Sequence, residues 1–284
     1  MKRRNLISIF LLLILFLFTL SGCGIDDIVR MKQEHDLTEA KLAENENVKL
    51  LISQTTELND RQKRIMQWEG VTTDYSQMND EQKEAAIKIE MLYQYLDEKY
   101  PGKEFEYVCF WLNPISADLI VKETSDEKHR DVSASLKWDN KEKTYIFSDS
   151  YYMVTTASDE YEKLIEKHLK EYNPKTKFFL DVEVHDVDNE NQTVNIANTG
   201  GSITIVIENC FADEEAGRKY VADLVDWLNE NNAKYGAMIK FIALSEEDFS
   251  NASYFNYMDC YYFKDKEVFS FNCKIEDDGK PYFW

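Results

Sequence analysis

The sequence predicts an α+β protein, with antiparallel sheets covered by helices, carried on an N-terminal helical or disordered stalk. Three observations carry that prediction. Three stretches place apolar residues at helical spacing. Between and after them lie short runs rich in β-branched and aromatic residues, divided by turn residues. The strands come in groups and do not alternate singly with helices, which is the pattern of helices packed on antiparallel sheet.

The chain opens with the basic cluster Met1-Lys2-Arg3-Arg4. An apolar run from Leu6 to Leu20 follows, interrupted by Ser8 and Thr19, and then Leu20-Ser21-Gly22-Cys23. A basic start, a short apolar run and small residues before the cut describe a secretory signal. The run is shorter than the ~20 residues of a spanning helix. Leu20-Ser21-Gly22-Cys23 resembles the lipobox of bacterial lipoproteins. That resemblance implies diacylglycerol on the Cys23 thiol, cleavage before Cys23, and an acyl chain such as palmitate on the new N-terminus. Several acyl chains anchor a protein where one binds only marginally. The expected location is the outer, extracytoplasmic face of a membrane. Gly24 in place of Asp leaves sorting to a second membrane open, and an uncut anchor with an incidental cysteine is the alternative.

Residues 23–70 hold no Pro, and after Gly24 no Gly until Gly70. Glu, Lys, Asp, Asn and Gln dominate. Leu51, Leu58 and Ile65 recur at seven, but Thr55 and Gln62 hold the partner positions of the heptad, so the segment reads as a polar stalk, helical or partly disordered, with a coiled-coil partner helix as the alternative. The net charge of the chain is −20. Removing the signal takes away Lys2, Arg3 and Arg4 and no acid, so the mature chain is more negative still. Such a field excludes a nucleic-acid partner, which needs clustered Lys and Arg. It suits a cationic protein or peptide partner, or a merely solvated surface.

The first body helix opens at Asn79-Asp80-Glu81 and carries Ile87, Met91, Leu92, Tyr95 and Leu96 on one face. Tyr100-Pro101-Gly102 ends it. Strands are expected at 104–112, 117–123, 131–138 and 144–149. A second helix fits 158–172 and a third 213–231. Further strands fit 178–187, 193–197, 202–209, 236–244, 254–263 and 267–275. The expected organisation is a signal over 1–22, a stalk over 23–70, one α+β domain over 71–152 and a second over 153–284. The joints Glu98–Val108 and Lys170–Leu180 read alike, each with a tyrosine, a proline and an aromatic-rich strand, so a repeated helix-plus-strands unit is one explanation. Leu58–Ile65 and Glu90–Tyr100 are similar in pattern to uncharacterised exported proteins of Gram-positive bacteria, a resemblance that implies no activity.

Residues with chemistry are sparse. His35 and His129 fall in polar segments. His168 borders an apolar helix stripe, and His185 alternates outward with Asp181 and Glu183. Asp186 to Asn191 resembles a calcium loop only in part, since Asn191 replaces the glycine and Ala197 the final glutamate. Gly200-Gly201 lacks the lysine and helix of a phosphate loop. No cofactor or metal fingerprint is met. Export permits disulfides, and Cys260 and Cys273 flank an expected hairpin whose register would set them opposite; two free thiols are the equal alternative. The leading functional expectation is a non-enzymatic protein- or peptide-binding module of the cell envelope. The alternative is an envelope hydrolase or metal-assisted enzyme using carboxylates with His168 or His185.

Overall fold

A computed structural model describes residues 25–187, 193–233, 238–253, 267–275 and 279–284. The helices are α1 (Ile25–Gln54), α2 (Asp60–Trp68), α3 (Asp80–Lys99), α4 (Ser158–Tyr172), α5 (Glu214–Glu230) and α6 (Glu246–Asn251). The strands are β1 (Phe105–Asn113), β2 (Ser116–Glu123), β3 (Asp131–Asp139), β4 (Thr144–Asp149), β5 (Phe178–Val187), β6 (Thr199–Glu208), β7 (Met238–Leu244), β8 (Glu267–Ile275) and β9 (Pro281–Phe283). They form two sheets, ordered β1-β2-β3-β4 and β5-β6-β7-β8-β9, so the class is α+β. Contacts divide the chain into two units. One comprises the chain up to residue 95 with 110–118 and 135–147; the other comprises 96–109, 119–134 and 148–284.

In the first unit, the segment read as a stalk is helical and contributes to the core. Ala40, Glu44 and Val48 of α1 are buried at successive four-residue steps, and Leu58, Ile65 and Met66 are buried as well. The apolar residues of this segment look scattered because polar residues fill buried positions among them. Gln62 shows how. Its backbone N–H donates to Asn59 Oδ1 and its Oε1 accepts from the Asn59 N–H, both at 2.8 Å, which closes a capping box at the start of α2. Its Nε2 then donates to the Ala86 carbonyl at 2.9 Å. One buried glutamine thus caps its own helix and ties it to α3.

In the second unit, α4 is entered through a π-helical turn, Met153–Ala157. Ser158 Oγ accepts from the Val184 N–H at 3.0 Å, so the helix start occupies a backbone donor of β5, the strand at the sheet's edge. One continuous apolar core lies between α4, α5 and the sheet. It takes Ile165 and Leu169 from α4, Leu224 and Leu228 from α5, and Ile203, Ile205, Phe241 and Phe271 from the strands. Phe241 stacks on Phe271 with ring centroids 5.0 Å apart and on Phe269 at 6.1 Å. Close approach here requires two glycines. A Cβ on Gly217 would meet the Phe269 ring at 2.6 Å, and one on Gly201 would meet the Glu183 carbonyl oxygen at 2.2 Å. Arg218 places its guanidinium over Phe271 and Phe283, 5.1 and 5.2 Å from the ring centroids, and so ties α5 to the last two strands.

Three expectations need correction. The second sheet is not wholly antiparallel: β6 pairs parallel with β7, Ile203 beside Ile239 and Ile205 beside Phe241, with α5 as the crossover that parallel neighbours require. Residues 193–197 are not a strand. Val194 and Ile196 are buried and alternate as a strand would, but Asn195 Oδ1 accepts from the Ala197 N–H at 2.9 Å and Asn198 Oδ1 from the Asn195 N–H at 2.9 Å, so amide side chains take the place of a ladder. The short elements α6 and β9 were not anticipated. Residues 254–263, expected as a strand, lie outside the described residues.

Candidate functional site

The second sheet has one face packed on α4 and α5 and another that the described residues cover only in part. On this outer face α6 packs Phe249 and Ala252 over Val206, Ile242 and Leu244. Farther along the same strands nothing among the described helices covers it. Cross-strand pairing fixes the rows. Glu183, Ser202, Met238, Lys274 and Tyr282 make one row from β5 to β9. Asp181, Thr204, Lys240 and Asn272 make the next, and Trp284 extends it through paired backbone hydrogen bonds with Asn272 at 3.1 Å each. Paired residues point to one side of a sheet, so these side chains share the outer face. Met238, Tyr282 and Trp284 are 52%, 54% and 50% exposed. Tyr282 and Trp284 stack with ring centroids 5.9 Å apart. The face thus runs from carboxylates on β5, through two lysines on β7 and β8, to a pair of open aromatic rings at β9.

The second unit also holds a polar cavity of about 390 Å³, bordered by Lys103, Glu123, Asp126, Arg130, Tyr151 and Asp159. Its charged groups are engaged with one another. Arg130 Nη2 and Nε donate to the two oxygens of Asp126 at 2.8 and 3.1 Å, and Nη1 donates to Asp159 at 2.8 Å. Burial opposes ionisation of Asp126, but hydrogen bonds from Arg130 outweigh it and hold the carboxyl below its ordinary range. Lys103 Nζ lies 3.3 Å from Glu123, which also accepts from Ser125 and, at 3.4 Å, from Tyr151. Glu123 too is held low, its partners outweighing burial. The arrangement fastens the loop after β2 to the segment around Thr155. It leaves no carboxylate pair poised as acid and base.

His168 lies with its ring stacked on Trp227 at 4.0 Å, and burial lowers its pKa while Glu171 pulls the other way. It is a packing residue of α4. His185 is exposed on the outer face, with Nε2 and Ser202 Oγ 2.9 Å apart. Neither meets the pair of carboxylates that a metal-assisted reaction needs, and among the described residues no group of three or more His, Cys, Asp or Glu is placed to hold a metal ion. Within Asp186–Asn191, residues 188–191 lie outside the described residues, as does Cys23. Cys273 is a buried free thiol whose cross-strand neighbours are Ile239 and Phe283, and burial pushes it up to about 11. Cys260 lies outside the described residues. No described helix is long and apolar enough to cross a membrane.

Sequence reasoning did not single out the lysines of this face. Pairing sets Lys274 next to Tyr282 and places Lys240 on the same face, across Asn272 from Trp284, and strand pairing is not written in local periodicity. No protein-family model and no curated protein matches the chain. Among solved structures, a DUF5037 family protein from Ruminococcus gnavus ATCC 29149 is similar over 69% of this chain and 94% of its own, at 15% identity and a TM-score of 0.36.

Proposed function

We propose that the chain is a lipid-anchored envelope protein, held through Cys23 on the outer face of a membrane, whose second unit binds a partner protein or peptide on its open sheet face. The supporting observation is the stacked, half-exposed Tyr282–Trp284 pair, with Met238 exposed on the same row across Lys274. Tyr and Trp are the residue types that most often carry interface energy, because they desolvate a large rigid area at little entropic cost. The surplus of acids elsewhere on the chain favours a partner whose surface around the contact is basic.

Two experiments test this reading. Metabolic labelling with a fatty-acid analogue should mark the wild-type chain and not Cys23→Ser, which should also leave the membrane fraction; equal labelling of both would remove the anchor. Crosslinking in the native envelope should recover a partner that the Tyr282→Ala/Trp284→Ala double variant loses while keeping its thermal unfolding midpoint. Recovery of the same partner by that variant would show that docking, if any, lies elsewhere.

A further inference from the structure

The charges of the open face say what kind of segment it fits. Beyond Ile242 and Leu244, which α6 covers, the outer positions of β7, β8 and β9 include Met238, Lys240, Ser270, Asn272, Lys274, Tyr282 and Trp284; the carboxylate at the edge of this set is Glu267, which pairs with Leu244 and accepts from Ser270 at the end of β8 away from Lys274. Lys274 is exposed and Lys240 half-buried, and neither forms an ion pair with a described residue. They are diagonal neighbours, since Lys240 pairs with Asn272, two residues from Lys274. Diagonal positions bring Cβ atoms to about 7–8 Å, near enough for two like charges to repel and for one anion to lie between both ammonium groups. The carboxylates of the same rows, Asp181 and Glu183, sit on β5, with β6 intervening. Two strand spacings separate Asp181 from Lys240, roughly 10 Å.

Screening decides between the local and the global charge. At physiological ionic strength the Debye length is about 8 Å. A group in contact with the lysines therefore feels them nearly in full, while the negative charge of the rest of the chain is strongly damped. A net-acidic protein can in this way present a locally cationic, aromatic surface.

We infer that the partner's contact segment is an acidic–apolar peptide stretch. A Glu or Asp carboxylate rests between Lys240 and Lys274, and an adjacent apolar side chain lies on Tyr282 and Trp284. This rests on the reading that the open face is the docking surface. The carboxylate relieves the repulsion between the lysines, and the apolar neighbour covers rings that no described residue covers.

The test uses the intact chain in detergent micelles and three fluorescein-labelled peptides of one design. They alternate Leu with Glu, with Gln, or with Lys; fluorescein-labelled hyaluronate serves as an anionic polysaccharide. Fluorescence polarisation should give the Glu peptide a Kd at least ~10-fold below that of the Lys peptide, a difference of about 1.4 kcal/mol. Binding should weaken as salt rises, and Lys240→Glu/Lys274→Glu should reverse the order. Equal or tighter binding of the Lys peptide, an unchanged order in the charge-reversed variant, or binding of hyaluronate alone would overturn the inference. Should no peptide bind while Tyr282→Ala/Trp284→Ala still loses the crosslinked partner, the face stands and the acidic segment is wrong. Should that variant keep the partner, the face itself is wrong.

Discussion

In the first unit Lys88 is gripped by two carboxylates and in the second Arg130 is, and the two grips differ in burial and in saturation. In the first unit, Lys88 Nζ lies 2.6 Å from Glu44 of α1 and 2.7 Å from Glu84, with the Lys88 and Glu44 side chains each 1% exposed. Tyr145 adds a hydrogen bond to Glu44 at 3.3 Å, yet the second Glu44 oxygen is buried without a partner. In the second unit, Arg130 meets Asp126 through two parallel hydrogen bonds and reaches Asp159, which is 44% exposed. The flat guanidinium matches a carboxylate at two points, whereas an ammonium is a point charge. The comparison separates two uses of an ion pair. The buried one fixes where α1 lies along α3, because sliding the helix would leave a charge unpaired in the core. The half-open one fastens a loop and gives up less if broken.

The most direct way to break this comparison is Lys88→Ala. It strands the Glu44 carboxylate in the core and should cost about 3–5 kcal/mol in chemical denaturation, whereas Glu44→Leu/Lys88→Met should recover most of the loss. A single variant as stable as wild type would mean that water reaches this site and that the pair does not set the register. Arg130→Ala comes next, at about 1.5–3 kcal/mol, the range for hydrogen bonds to charged groups, because Asp159 regains solvent when released and the buried Asp126 keeps its backbone N–H donors at residues 128 and 130. A loss as large as that of Lys88→Ala would erase the distinction.

Acid then sharpens the contrast. The Asp126 carboxyl is lowered from its ordinary 3.8 in the folded chain. Its contribution is therefore fully present above that value and is lost as pH falls through the lower folded one. Glu162 works in the opposite sense, since burial outweighs Lys128 and raises it. The difference in stability between wild type and Arg130→Ala should thus shrink below about pH 4, a window set by the unperturbed Asp value. A difference constant down to pH 2 would refute the assignment to Asp126. The smallest effect is expected at Asn59→Ala, about 1 kcal/mol for a lost helix cap, read from the same denaturation curves. A cost near that of Lys88→Ala would show that the capping box, and not the ion pair, holds the first unit together.

These contrasts also mark how far the sequence could be read. The bounds of α4, β5 and β8 follow directly from apolar periodicity and breakers, because their core positions are filled by apolar residues. Periodicity fails where polar side chains are buried. Glu44 and Gln62 hid the packing of the first two helices, and the alternation of Val194 and Ile196 made a turn closed by Asn195 and Asn198 look like a strand. The outward face of His185 was legible from alternation; the stacking of His168 on Trp227 was legible only as proximity to an apolar stripe, since its partner lies on another helix.

By itself the sequence determined the α+β class, most element boundaries, the net negative charge and the lipobox pattern, all of which depend on residues near one another in the chain or on composition. Tertiary structure alone decided that β6 and β7 run parallel, that Lys88 finds Glu44, and that Lys240 joins the sheet face that carries Lys274, Tyr282 and Trp284. Each of these joins residues distant along the chain. Local side-chain chemistry specifies which face of an element is apolar. It does not specify which other element will cover that face, because the choice is made by packing the whole core at once.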